Sequence, residues 1–203
     1  KYPENEMERF TPRCHSTNQG SEGLPIISIL LPVYNAQTTL GTTLKSIRRQ
    51  TIDDWECVIV DDGSSDRSIQ VAEKQAQDDA RFKIVKSEHV GLIAALNLGI
   101  EHCRGQYIAR MDADDIMHSS RLTKQLEMMM NNDDLAAVGS FVRLFPRSSV
   151  SHGFRAYEKW LNTMKDSDSI LRDAFIECPL AHPSLFIKSN ILRKLMYRDK
   201  KWP

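Results

Sequence analysis

Hydrophobic residues come in short, nearly unbroken blocks. Ile26 to Leu31, Trp55 to Val60 and Tyr107 to Met111 are largely apolar and of strand length. Such blocks suit parallel strands covered on both faces, where neither side of the pleat needs to be polar. Between them the period changes. Leu40, Leu44 and Ile47 share one face of a helix predicted over Ala36 to Gln50, and Leu92, Ala95, Leu96 and Ile100 do so over Leu92 to His102. A shorter block, Phe82 to Lys86, reads as a third strand, and helices are expected at about Arg67 to Ala80 and from Ser119 or Ser120 to Met130. Four strand–helix alternations predict an α/β fold: a Rossmann-like, mostly parallel sheet flanked by helices, with right-handed crossovers.

The punctuation is local chemistry. Pro32 is expected to end the first strand because it cannot donate to a ladder. Gly63 permits a tight turn after Asp61-Asp62, and Ser64, Ser65 or Asp66 can cap the helix that follows. Leu135 to Phe145 is a fifth apolar stretch. Beyond it the regularity drops: short helices at Tyr157 to Met164 and Ser169 to Phe175, a proline-locked loop at Cys178 to Pro183, a strand at Ser184 to Ile187 and a helix at Ser189 to Met196. The organisation expected is an N-terminal arm (1–24, with a helical turn at Glu4 to Phe10), an α/β part (25–145) and a less regular region of the same domain (146–203).

Composition narrows the classes. The 203 residues suit one domain, or a domain with an extension, and 41% hydrophobic with 27% charged residues is a globular balance. Lys+Arg and Asp+Glu both number 27, so no basic excess points to nucleic acid. No apolar run reaches membrane-spanning length, and the first residues are too polar for a signal peptide. The chain begins at Lys1, which reads as a fragment or processed product. Cys14, Cys57, Cys103 and Cys178 form no C-x-x-C pair; reduced thiols in a cytoplasmic protein are expected, not a zinc site.

The densest chemistry is Met111-Asp112-Ala113-Asp114-Asp115. Carboxylates this close repel, so the cluster is either fully solvated or shared with a cation, and hard oxygen ligands suit Mg²⁺ or Mn²⁺. Asp112 and Asp114 are the candidate ligands. The turns Pro32 to Asn35 and Asp61 to Ser64 also follow predicted strands, the address at which open α/β sheets bind ligands. No G-x-G-x-x-G follows the first strand and no G-x-x-x-x-G-K-[ST] occurs, which favours a metal over a glycine-rich turn for holding phosphate. An Asp-nucleophile phosphohydrolase built on Asp112 is a second reading. Asp115, where Thr or Val is usual, and the lack of an evident downstream Lys motif weigh against it.

The segments SILLPVYNAQTTLGTTLKSIRRQT, WECVIVDDGSSD, GLIAALNLGI and GQYIARMDADDIMHSSRL, in this order, resemble the nucleotide-sugar half of glycosyltransferase family two, which has the GT-A fold; FIECPLAHPSLFIKSNIL is similar to the acceptor-side segment of bacterial members. The likeness spans roughly Ile26 to Tyr197. It implies an inverting, metal-dependent transferase using a nucleotide-diphospho-sugar, expected to be UDP-linked, and a carbohydrate or lipid-linked acceptor such as a growing surface polysaccharide. Pro32, Tyr34 and Asn35 would line the base pocket, Asp62 would contact the base with Asp61 alongside, and Asp112 would face ribose and diphosphate. Asp114 would be the direct metal ligand and Asp115 a cap for the next turn. His182 and Glu177 are candidate acceptor-side residues; His89 and Arg110 fall near the cleft without an assigned role. The family's general base lies in a Glu-Asp motif after a G-G-Y-R turn. Here Leu195 to Asp199 replaces the glycines, and Asp199 is a poor substitute, so the base is expected beyond Pro203 and the acceptor-side part is incomplete. The chain as given would then bind donor but transfer little. An uncovered apolar surface would favour self-association, and peripheral attachment to the inner face of a membrane would suit a lipid-linked acceptor. The remaining alternative is a non-catalytic nucleotide-binding module of degenerate transferase fold.

Overall fold

The computed structural model describes residues 23–175 and 177–198. Most of the N-terminal arm, including the expected turn at Glu4 to Phe10 and Cys14, lies outside the described residues, as do Ile176 and Asp199 to Pro203. One sheet organises the rest, with strand order β3-β2-β1-β4-β6-β5. Strands β1 (Ile27–Val33), β2 (Trp55–Asp62), β3 (Phe82–Ser87) and β4 (Tyr107–Arg110) are parallel where they pair. β6 (Phe186–Lys188) runs antiparallel to both β4 and β5 (Ala137–Val138). Helices α1 (Leu40–Arg48), α2 (Ser68–Asp78), α3 (Leu92–His102) and α4 (Arg121–Met130) follow the four parallel strands; α5 (His152–Leu161), α6 (Ser167–Asp173) and α7 (Ser189–Leu195) belong to the less regular half.

Two-residue alternation sorts the strands' side chains into two apolar layers. Ile29, Leu31, Cys57, Ile59, Ala109 and Met111 pack with Leu40, Leu44, Leu122 and Met129 on the side of α1 and α4. Leu30, Val58, Val60 and Ile108 pack with Ala95, Leu96, Ile100 and Leu192 on the side of α3 and α7. Burial on both faces is why these strands read as continuous apolar runs.

Several boundaries differ from expectation for identifiable reasons. β1 continues through Pro32 to Val33. Met111 N donates to Leu30 O, so Leu30 turns its polar groups toward β4, and Pro32, two residues on, does the same where β4 has already ended at Arg110. The missing N–H therefore costs no ladder bond. β2 extends through both acids of the expected turn, with Asp61 opposite Lys86 and Asp62 opposite Ser87. α1 begins at Leu40 because residues 36–39 form a turn in which Ala36 O accepts from Thr39 N and Leu40 N. Asp66 is the residue that serves the start of α2: its Oδ1 accepts from Ser68 N at 2.9 Å. Neither Ser119 nor Ser120 caps α4 through its side chain; Gln50 Oε1, from the end of α1, accepts from Leu122 N at 3.1 Å instead. α5 starts at His152 because Ser151 Oγ accepts from Phe154 N. Only Ala137–Val138 of the fifth apolar stretch is strand: the next donors, Val142 N and Leu144 N, go to Asn162 Oδ1 at 2.9 Å and Glu158 Oε2 at 2.6 Å.

At the sheet's opposite end Glu56 is a buried hub. Its carboxylate accepts from Ser28 Oγ at 2.7 Å, Lys83 Nζ at 2.6 Å and Arg104 N at 2.7 Å. Burial pushes its carboxyl up, but the bonds from Lys83, Ser28 and Arg104 outweigh it and hold the pKa below the ordinary value. A depressed carboxyl contributes stability that is present above the unfolded pKa, about 4.3, and is lost as pH falls through the folded value. Glu56→Gln is expected to cost about 2 kcal/mol at neutral pH and to flatten the acid side of the stability–pH curve, measured by urea denaturation across pH.

Candidate active site

The carboxyl edge of the sheet gathers the polar residues. The strand order changes direction between β1 and β4, and on the α3 side of that edge Asp62 ends β2, Pro32 lies near the end of β1 and Arg110 ends β4. Antiparallel β6 begins at the same edge, so the 3₁₀ turn His182–Ser184 before it arrives next to Arg110. The switch point predicted to bind ligand is thus lined from β2 to β6.

At the β2 end, Tyr34 is half exposed, and its ring stacks on that of His89 with centroids 4.1 Å apart and planes inclined by 18°. His89 Nδ1 is 2.9 Å from Asp62 Oδ2, and the backbone N–H groups of Val90 and Gly91 donate to the same carboxylate at 2.8 and 3.0 Å. Asp62 therefore builds the wall of residues 89–91 that Tyr34 faces. Gly63 cannot be replaced without strain: its φ is +70°, and a Cβ there would meet His89 N at 2.7 Å. Asp61, on the opposite face, accepts from Ser64 N at 3.3 Å, while its buried Oδ1 has no hydrogen-bond partner among the described residues. Asn35, at φ 50°, is a loop pin: its N–H donates to Ser64 Oγ at 3.0 Å and its Oδ1 accepts from Ser65 N at 2.9 Å.

At the β4 end, ligand atoms of Asp112, Asp114 and Asp115 lie within 4.8 Å of one another. Three carboxylate oxygens at that spacing, two of the residues partly buried and Asp114 exposed, fit a hard divalent ion. Asp115 belongs to this cluster, where a capping role was expected. Burial, then the charges of Asp112 and Asp114, push its carboxyl up to about 6 against the pull of Arg110 and Arg121. The loop is held from α1: Thr43 Oγ1 lies 2.9 Å from both Ala113 O and Asp115 O, and Met117 N donates to Ser46 Oγ at 3.0 Å.

Two buried arginines underlie the acids. Arg110 Nη1 lies 2.6 Å from Asp112 Oδ2. That contact is an ion pair out of line with the N–H, so Nη1, like Nε, makes no hydrogen bond among the described residues. Arg121 is committed elsewhere, to Gln125 Oε1 at 2.9 Å, Arg110 O at 3.1 Å and Leu185 O at 3.3 Å. Its burial, opposed by Asp115, lowers its pKa to about 10. His182 is exposed at the surface, and partial desolvation by its neighbours together with the charge of Arg110 holds its pKa below the usual histidine value. Its ring meets Tyr197 edge-on at 6.4 Å, and Tyr197 is tied to α3 through Asn97.

The structure therefore gathers Pro32, Tyr34, Asp61, Asp62, Asp112, Asp114 and His182 along one edge. Asn35 acts behind it, and Glu177 has no described contact with the acids, accepting instead from Cys178 N at 3.1 Å. His89, Arg110, Arg121 and Asp115 complete the site. The sequence places His89 and Arg110 near the cleft without a role; Arg110 is conspicuous as a charge on a strand otherwise apolar, whereas nothing local marks His89 as the stacking partner of Tyr34. Clefts of 490 and 800 Å³ run along α4 and residues 139–145; the second borders the site at Asp115 and Arg121, but neither is lined by Tyr34, Asp62 or Asp114. No helix among the described residues is long and apolar enough to cross a membrane.

Comparison with known proteins bears on the fold and the family. An uncharacterized glycosyltransferase of Haemophilus influenzae is 28% identical over 188 residues, 90% of this chain and 58% of the relative. One from Methanocaldococcus jannaschii is 31% identical over 185 residues, 89% of this chain and 62% of the relative. The Escherichia coli enzyme WfgD, a UDP-Glc:α-D-GlcNAc-diphosphoundecaprenol β-1,3-glucosyltransferase, is 32% identical over 66% of this chain and 52% of its own length. The chain thus spans about half to three fifths of these relatives. Among solved structures, a Pyrobaculum calidifontis mannosyltransferase in complex with GDP-Man and Mn²⁺ superposes with a TM-score of 0.66 at 21% identity, covering 85% of this chain and 47% of that one. Staphylococcus aureus TarS in complex with UDP gives 0.58 at 18%, covering 83% and 48%. Both likenesses are of fold, the GT-A architecture. The sequence family described as glycosyl transferase family 2 matches residues 28–191, and the chain belongs to that family.

Proposed function

We propose that this chain is the donor-binding part of an inverting glycosyltransferase that takes its sugar from a nucleoside-diphosphate carrier. The observation that carries the reading is the polar strip along the sheet edge: a stacking ring and buried carboxylates at the β2 end, clustered acids at the β4 end. Tyr34 and residues 89–91 receive the base, with Asp62 behind them; the acceptor capacity Asp62 retains reads an N–H of the base, and Asp61 stands alongside on the other face of the strand. Uracil, with an imide N–H, suits that acceptor set, and UDP is the proposed carrier. Asp112 and Asp114, joined by Asp115, hold Mn²⁺ or Mg²⁺. The ion supplies positive charge against the diphosphate as it leaves. His182, beside Arg110 and Asp112, faces the sugar or acceptor side. The relatives' printed activities favour a carbohydrate or lipid-linked acceptor, and a cytoplasmic site at the inner face of a membrane suits that acceptor.

The test is calorimetry on the purified chain with UDP, GDP and dTDP, each with and without Mn²⁺ or Mg²⁺. UDP is expected to bind at least tenfold more tightly with metal than without, and more tightly than GDP or dTDP. Binding indifferent to metal would remove the diphosphate-bridging role, and a preference for GDP would replace the base assignment.

A further inference from the structure

The donor-binding reading leaves Arg110 unexplained. A guanidinium 5% exposed carries a desolvation cost that one poorly aligned carboxylate contact does not repay by hydrogen bonding. Arg110 nevertheless sits against the first acid of the cluster, close enough to His182 and Tyr197 for its charge to act on both. Arg121, the other cation nearby, is committed to neutral acceptors and forms a constant background. What Arg110 changes is charge. It matches one of three carboxylates, so the cluster attracts a bare dication less than three free acids would, and repels an incoming diphosphate less.

We propose that Arg110 is a positioning residue that couples the divalent ion to the diphosphate, weakening capture of the metal alone and strengthening capture of metal and diphosphate together. This rests on the donor-binding reading. At an effective dielectric of about 20, each unit charge a few ångströms away is worth more than a tenfold change in binding before screening. Removing the guanidinium therefore moves the two affinities in opposite directions. A role confined to packing moves both the same way, downward, because a disordered acid cluster holds neither ligand well. The coupling is reciprocal: the factor by which diphosphate tightens metal equals that by which metal tightens diphosphate.

The experiment uses two probes, Mn²⁺ alone and inorganic pyrophosphate at saturating Mn²⁺, titrated calorimetrically at low ionic strength into the wild-type chain, Arg110→Met and Arg110→Lys. Pyrophosphate has no base, so the assignments at Tyr34 and Asp62 do not enter. For Arg110→Met, Mn²⁺ alone is expected to bind about tenfold more tightly and Mn²⁺-dependent pyrophosphate about tenfold more weakly. Arg110→Lys, which keeps the charge, is expected to stay within about threefold of wild type for both. If Arg110→Met weakens both, or Arg110→Lys loses the coupling completely, the proposal is overturned while the donor site stands. Arg110→Lys carries the test if Arg110→Met does not fold. A wild-type chain that binds neither probe would overturn the donor-site reading and this proposal with it.

Discussion

Asp114→Asn is expected to abolish metal-dependent binding of a nucleoside diphosphate while leaving the fold intact. Asp114 is the exposed member of the triad and is free of the Arg110 contact that engages Asp112. Its carboxylate is thus the acid most available to an incoming cation. The amide keeps the size and one oxygen but removes the charge that makes the site attractive to a hard dication. A loss of about 100-fold or more in Mn²⁺-dependent UDP affinity is expected by calorimetry, since even outer-shell changes at metal sites cost tenfold to 100-fold. Thermal stability without metal should be unchanged or slightly raised, because one of three mutually repelling charges is removed. That pairing, lost binding in an undamaged protein, distinguishes a ligand from a structural acid. Unchanged metal-dependent affinity would take Asp114 out of the metal site.

Arg121→Ala is expected to produce the largest loss of stability. The side chain bridges the end of β4 to the entry of β6, bonding Arg110 O and Leu185 O from a position on α4. Truncation removes the donor to the buried Arg110 O and the second donor to Leu185 O, which keeps Arg110 N, and opens a cavity, together worth about 3–5 kcal/mol. For a domain of this size the melting temperature should drop by roughly 10 °C. Arg121→Lys is expected to recover only part, because a single ammonium cannot reproduce a planar fork spread over three acceptors. A loss below about 1 kcal/mol in denaturant unfolding would contradict the bridging role. Mn²⁺-dependent diphosphate binding should weaken as well, though Arg121 is committed to other groups, since it fixes the backbone from which Arg110 and the acid loop project.

The two expectations separate what touches a ligand from what holds the touching groups in place, and the sequence was informative mainly about the first kind. The four parallel strands and four following helices were legible because each is encoded by apolar periodicity within its own ten residues or so (an approximate span). Asp112 and Asp114 were legible because three acids at the end of an apolar run are conspicuous in any context. Errors fell where a partner distant in the chain satisfies the backbone. α4 takes its N-terminal acceptor from Gln50 and not from a neighbouring serine. The fifth apolar stretch gives its donors to α5, and β1 passes through Pro32 because its pairing with β4 ends two residues earlier, at Leu30.

Local pattern therefore determined the fold class, the sheet edge where chemistry collects, and the acids expected to meet a metal. Tertiary structure alone decided that antiparallel β6 carries His182 to Arg110, that Asp62 spends its oxygens on residues 89–91, that His89 covers the ring of Tyr34, and that Asp115 joins its neighbours. The physical reason is range. Burial of an apolar face is decided by neighbours three or four residues away, whereas the partner of a buried charge is chosen by whichever segments the sheet brings to the same edge.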